Sequence, residues 1–270
     1  MKKGLLLLGV FLMLVSCSEY QKVLKSTDTG EKYTLAEELY NQAIVEDSKK
    51  KFRKALRVLE QIVPEYRGKP QGEKLSFLYA DTYYHLGDNQ TAGYQFERFV
   101  ASYPKSDKLE EATFKGARSY YFDSPSSNLD QEETVKAIGE LQKYIDKYPN
   151  GEFLDQANDY TTELRVKLEK KAYDIAKQYH HTENYKSAIV VFDNFILDYP
   201  GSPFREAAFY YRFDSAYELA INSYQVLMEE RLNTAKEYYS SYKKYYPEGS
   251  EYYEAIQTSF QDLDSRLQNF

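Results

Sequence analysis

Small and apolar residues recur at intervals of three and four along most of this chain, and four such runs end on the same dipeptide: Tyr103-Pro104, Tyr148-Pro149, Tyr199-Pro200 and Tyr246-Pro247. Twelve residues before each proline stands an alanine (Ala92, Ala137, Ala188, Ala235), eight before it Phe96, Leu141, Phe192 or Tyr239, and five before it Phe99, Tyr144, Phe195 or Tyr242. The pattern Ala-x3-Φ-x2-Φ-x3-Tyr-Pro lies on one face of an α-helix. Proline lacks an N–H and restricts the residue before it, so each Tyr-Pro predicts a helix stop. A small residue follows two positions later (Ser106, Gly151, Ser202, Gly249) and an alanine eight later (Ala112, Ala157, Ala208, Ala255). This predicts a turn and then a second helix, with Ser106 and Ser202 the better N-caps. A degenerate fifth copy surrounds Tyr66, with Ala55, Leu59 and Ile62, and Arg67 in place of proline.

Each of these helices has a predicted partner upstream. In the clearest copies Ala80 and Tyr83 precede Gly87-Asp88 and Ala92, and Ala176 and Tyr179 precede "HTENYKSA" ending at Ala188. Small, Tyr, turn, Ala, Phe and Pro at this spacing resembles the tetratricopeptide repeat, a helix hairpin of about 34 residues. The implied fold is all-α, an α-solenoid of about five such hairpins whose apolar faces are buried only by stacking. The tyrosines at 66, 103, 148, 199 and 246 are 37, 45, 51 and 47 residues apart. The excess falls in the polar loop 121–133 and in lengthened helices, expected over Gly151 to His181 and Phe204 to Met228.

The amino terminus departs from the pattern. "MKKGLLLLGVFLMLVSC" is a basic n-region, a short apolar run and the chain's single cysteine, the order of a secretory signal rather than a membrane span. Leu14-Val15-Ser16-Cys17 resembles a bacterial lipobox, which implies cleavage before Cys17 and its acylation, with chains such as palmitate. The expected organisation is a signal peptide over 1–16, a lipidated tether over 17–32, repeats 1–3 over 33–150 and repeats 4–5 over 151–270. One cysteine allows no internal disulfide. Loss of Lys2 and Lys3 moves the formal charge from −7 to −9, which argues against a nucleic-acid partner.

No motif for catalysis stands out. The three histidines are His85, His180 and His181, and the adjacent pair cannot form an i, i+4 metal site. No phosphate-cradling glycine loop or nucleophile elbow is present, so neither enzyme activity, nor a metal, nor a cofactor is expected. What remains is an inner helical wall. Transferring the tetratricopeptide register places Phe77, Asp81, Tyr84 and His85, and Tyr173, Lys177 and His180, towards a groove, joined by Tyr40. Tyrosine suits such a wall, offering apolar area with a polar tip, and the chain has 29 tyrosines and no tryptophan.

The order of lipobox and repeats is similar to the BamD family of outer-membrane β-barrel assembly lipoproteins, in a Bacteroidetes-like branch. The segments that carry the resemblance are "SEYQKVLKSTD" (18–28), "RVLEQIVPEYRG" (57–68), "YFDSPSSNLDQ" (121–131), "ELRVKLEKKAYDIAKQYH" (163–180) and "AIVVFDNFILDYP" (188–200). It implies a scaffold anchored by lipid to the periplasmic face of the outer membrane. It further implies two partners, a BamA-type barrel protein of the Omp85 class towards the carboxy-terminal repeats and unfolded outer-membrane proteins towards the amino-terminal ones. Other assembly lipoproteins are candidate partners. The alternatives are a periplasmic tetratricopeptide adaptor for envelope or peptidoglycan coordination, which usually brings a coiled coil, and a glycan-binding lipoprotein, which would be longer and carry tryptophan platforms.

Overall fold

The structure, a computed structural model, describes residues 19–270, so Cys17 and the segment before it lie outside the described residues. After a helical segment over 19–25 come α1 (Thr29–Glu46), α2 (Lys49–Ile62) with a 3-10 turn Val63–Tyr66, α3 (Gly72–Leu86), α4 (Asn89–Ser102), α5 (Leu109–Asp123), α6 (Glu132–Lys147), α7 (Leu154–His181), α8 (Tyr185–Asp198), α9 (Arg205–Ile221), α10 (Gln225–Tyr245) and α11 (Tyr253–Leu267). The fold is all-α. The helices pair as five hairpins of tetratricopeptide type, α1/α2 to α9/α10, and α11 closes the series. Two compact units result, one of residues up to 125 with 132–161, the other of 126–131 with 162–270. The boundary falls inside α7.

The Tyr-Pro register fixes the core. Ala92, Ala137, Ala188 and Ala235 are buried, as are Phe96, Leu141 and Phe192 and, three residues further on, Phe99, Tyr144, Phe195 and Tyr242. Alanine where helices cross lets the backbones approach closely, and the aromatics fill the space beside it. The hairpin turns are equally legible: Gly87 ends α3 in the left-handed region at φ 80°, and the Asp88 side chain accepts from Thr91 N at 3.3 Å to start α4.

Where tyrosine occupies the position five before proline, its hydroxyl ties the two helices of its own hairpin. In the first unit Tyr144 donates to Glu110 on α5 at 2.9 Å; in the second Tyr242 donates to Glu206 on α9 at 2.8 Å. Each carboxylate also accepts from the backbone of the following loop, Glu152 N at 2.7 Å and Tyr252 N at 3.1 Å. A charged acceptor taking two donors makes each tie stronger than a neutral bond.

Three expectations are corrected. Ser106 and Ser202 do not cap helices: their hydroxyls accept from Lys108 N at 3.0 Å and Phe204 N at 3.2 Å, shaping the loop before α5 and α9 instead. The segment Phe204 to Met228 is not one long helix, because α9 stops at Ile221 and Tyr224 is extended before α10; the extra length is in the 21 residues of α10. Ala255 is exposed and Ile256 is buried in its stead. The loop after Pro247 carries Gly249 at φ 91° and is one residue longer than its counterparts, which rotates α11 by one position. The Gly151 to His181 expectation matches α7, 28 residues long from Leu154.

The polar loop between α5 and α6 is held by bonds of its own and by Lys171 of α7, whose ammonium donates to Leu129 O. Ser124 Oγ lies 2.6 Å from Thr134 Oγ1. The Gln131 amide donates to the carbonyls of Ser126, Leu129 and Asp130 at 2.9, 3.0 and 3.1 Å.

Candidate functional site

In the first unit the inner helices α1, α3 and α5 meet at Asp81. The Tyr40 hydroxyl of α1 donates to Asp81 Oδ2, Lys115 Nζ of α5 donates to Oδ1 at 2.6 Å, and His85 Nε2, one turn along α3, lies 3.3 Å from Oδ2. Asp81 is 1% exposed. Burial works to raise its pKa, but the hydrogen bonds from His85, Lys115 and Tyr40 and the Lys115 charge outweigh it and hold the carboxyl at about 2. The same cluster raises the Tyr40 hydroxyl, through burial first and then the Asp81 charge. Lys115 also pairs with Glu111 at 2.8 Å, and Glu111 with Lys108 at 2.9 Å. The His85 ring stacks on Phe52 at 4.7 Å.

Beside this cluster a cleft of about 430 Å³ opens, with Tyr40, Phe77, Leu78 and Phe99 as its floor and Glu73, Lys74 and Lys108 at its rim. Lys108 Nζ sits 5.5 Å above the Phe77 ring, close enough for a cation–π contact. Tyr84 is half-buried and packs edge-on to Phe96. Thus Tyr40, Phe77, Asp81, Tyr84 and His85 come together. Asp81 serves as an internal tie, while the ring surfaces of Tyr40 and Phe77 border the cleft.

In the second unit Tyr173 of α7 is buried, its ring stacked on Phe204 at 5.3 Å and against Phe195 at 6.0 Å. Lys177 Nζ lies 4.9 Å over the Tyr211 ring. His180 Nδ1 is 3.0 Å from Ser215 Oγ and Nε2 is 3.4 Å from Asp214 Oδ2. Since the Ser215 hydroxyl donates to Tyr211 O at 2.6 Å, Nδ1 must carry the proton it shares with Ser215. Nε2 and Asp214 are then left to share a second proton. Burial first, and then Glu218, push Asp214 up to about 6, whereas burial, His181 and Lys177 push His180 down.

Among the described residues no group of three or more His, Cys, Asp or Glu is placed to hold a metal ion, and no helix is long and apolar enough to cross a membrane. The family model YfiO, described as outer membrane lipoprotein, matches residues 33–221. The chain belongs to the YfiO family. A putative outer membrane protein assembly factor BamD from Aquifex aeolicus is 26% identical over 195 residues, covering 72% of this chain and 62% of that protein. The outer membrane protein assembly factor BamD of Rickettsia prowazekii is 24% identical over 196 residues, covering 70% of this chain and 72% of its own length.

In this YfiO-family chain no sequence motif marks Lys108, Asp214 or Ser215. A signal for Lys115 was present: it stands eleven residues after Pro104, as the inner-wall Tyr211 stands eleven after Pro200. Asp214 carries no such mark, because a carboxylate on a helix reads as solvated until the packing buries it.

Proposed function

We propose that this YfiO-family protein is a lipid-anchored scaffold of the β-barrel assembly machinery at the periplasmic face of the outer membrane, binding a BamA-type barrel protein and unfolded outer-membrane proteins. The names of the Aquifex and Rickettsia relatives support the assembly role, and the lipobox at Cys17 supports the anchor. The observation that carries substrate binding is the cleft of the first unit. An extended segment ending in an aromatic residue would lay its ring against Phe77 and Tyr40 and bring its carboxylate to the ammonium groups of Lys74 and Lys108, in competition with Glu37 and Glu111. The barrel protein would dock on the second unit, where Tyr224 and Val226 are exposed.

Purification from membranes through a carboxy-terminal tag tests the scaffold. An Omp85-type barrel protein should accompany the tagged chain, and its absence would overturn the reading. For the cleft, a fluorescent peptide with an aromatic carboxy terminus should bind, and Lys108→Glu should weaken binding about tenfold or more, as expected when a charge-assisted contact becomes repulsive. Equal affinity for the amidated peptide would place its carboxylate elsewhere.

A further inference from the structure

We infer that the α1–α2 tip of the first hairpin is a membrane-contacting surface, with exposed Ile44 and Val45 entering the interface and the basic face of α2 lying on anionic headgroups of the leaflet that holds the anchor. The inference rests on the lipid-anchor reading given above.

The amino-terminal segment sets the direction. Tyr20 is buried, its hydroxyl donates to Lys54 O at 3.4 Å, and Lys54 Nζ lies 5.0 Å over its ring. Glu19, Tyr20 and Lys22 share a cleft with Leu39, Gln42 and Lys54. The 19–25 segment therefore runs back along α1, and its first residues lie near the end of α1 and the start of α2. Cys17 precedes Glu19 by two residues, a reach of about 7 Å at full extension. A lipid on Cys17 keeps the α1–α2 tip close to the bilayer.

The tip has the chemistry for that position. Val45 is 85% exposed and Ile44 is exposed beside it. Asp47, in the left-handed region at φ 46°, makes the turn tight, and α2 begins Lys49-Lys50-Lys51. Lys50, Arg53, Lys54 and Arg57 follow at i, i+3, i+4 and i+7, opposite the buried Phe52, Ala55, Val58, Leu59 and Ile62. Among the described residues no carboxylate pairs with Lys49, Lys50 or Arg53, while Arg57 hydrogen-bonds the Tyr20 hydroxyl. Three lysines in a first turn also oppose the helix dipole, whose amino end is positive. The first turns of α1, α3, α5, α6, α7, α9 and α11 instead carry acids. The first turns of α4, α8 and α10 also lack acids, but among the described helices α2 alone begins on three successive lysines, which in a chain of net charge −7 points to an external anion. The cleft itself also holds Glu19, Glu31 and Glu38, and Lys54 and Arg57 turn to Tyr20 beside it, so the headgroup surface is the outer face of α2 at Lys49, Lys50 and Arg53.

The test uses the acylated protein extracted from membranes and reconstituted in vesicles of phosphatidylcholine alone or with phosphatidylglycerol. Amine labelling of Lys49, Lys50 and Lys51, read by mass spectrometry, should be suppressed in the anionic vesicles and restored by high salt, while Lys243 and Lys244 label equally in both. Replacing Lys49, Lys50 and Arg53 by Glu should remove the protection of Lys51. Each exposed cation near an anionic surface is worth about fivefold in partition. Labelling independent of lipid charge would overturn the inference, as would protection that persists in neutral vesicles because a bound protein covers the tip. Should the amino-terminal peptide carry no acyl chain, the anchor reading falls alone. Flotation of the protein with the two vesicle types then reads the patch directly, and equal flotation overturns it.

Discussion

Glu110 and Tyr144 meet across 34 positions of sequence at 2.9 Å, and the space around their contact admits no side chain at Gly151. A Cβ there would stand 2.5 Å from both Glu110 Oε1 and the Tyr144 hydroxyl. The small residue after the second Tyr-Pro is thus required by the carboxylate that ties α5 to α6 and to the loop.

Gly151→Ala is therefore expected to destabilise the first unit by about 1–3 kcal/mol, the usual cost of overpacking. Tyr144→Phe should cost about 1.5–3 kcal/mol, since the bond lost is to an ionised group and Phe153 N, which donates to the Tyr144 hydroxyl at 3.0 Å, loses its acceptor. Urea unfolding of both variants checks this. A parental midpoint for Tyr144→Phe would mean that the tie contributes nothing.

Asp81 makes the first unit sensitive to acid. Its carboxyl is held at about 2, below its ordinary 3.8, so its contribution is present above pH 4 and is lost as pH falls through about 2. The shift corresponds to roughly 2 kcal/mol. Asp81→Asn should remove that acid-dependent loss. At pH 7 it should cost roughly 1.5–3 kcal/mol, because Lys115 and Tyr40 lose a charged acceptor while Glu111 still pairs with Lys115. Hydrogen exchange of α3 and α5 between pH 2 and 7 separates the two effects.

Asp214 has the opposite sign. Its carboxyl is raised to about 6, so its contribution is present below its ordinary value near 4 and lost as pH rises through 6. Asparagine imitates the protonated form and can donate to His180. Asp214→Asn should then exceed the parent in second-unit stability by up to roughly 3 kcal/mol at pH 8, with the difference vanishing near pH 4. A variant weaker than the parent at pH 8 would refute this assignment.

Phe195→Ala empties a site packed by Tyr173 and Tyr199. It should cost about 3–5 kcal/mol, and calorimetry of the second unit's transition reads the loss.

The periodicity located the core because the positions twelve and five before proline are buried in all four Tyr-Pro hairpins, and the position eight before it in all but the last, where Tyr239 is half-buried. It failed at Ala255 because one extra residue after Pro247 rotates a helix without altering its composition. It failed between Phe204 and Met228 because nothing in Asn222-Ser223-Tyr224 announces a stop as Tyr-Pro does. The Tyr144 to Glu110 tie was illegible for another reason: a glutamate in the first turn of a helix is equally at home in water. At the candidate site, the aromatic residues could be placed from the repeat register. The burial of Asp81 and Asp214 depends on Lys115 and His180, which arrive from other helices.

The loop closed by Ser124 and Thr134 and braced by Gln131 bears on how such a chain can change length over generations. Its internal bonds absorb the added residues, so Ala112 and Ala137 keep their places in the core although their hairpin is longer than the basic unit. Insertions confined in this way are nearly neutral for the helices on either side. A longer connection of this kind adds surface to the hairpin while Ala112 and Ala137 stay on its packed face.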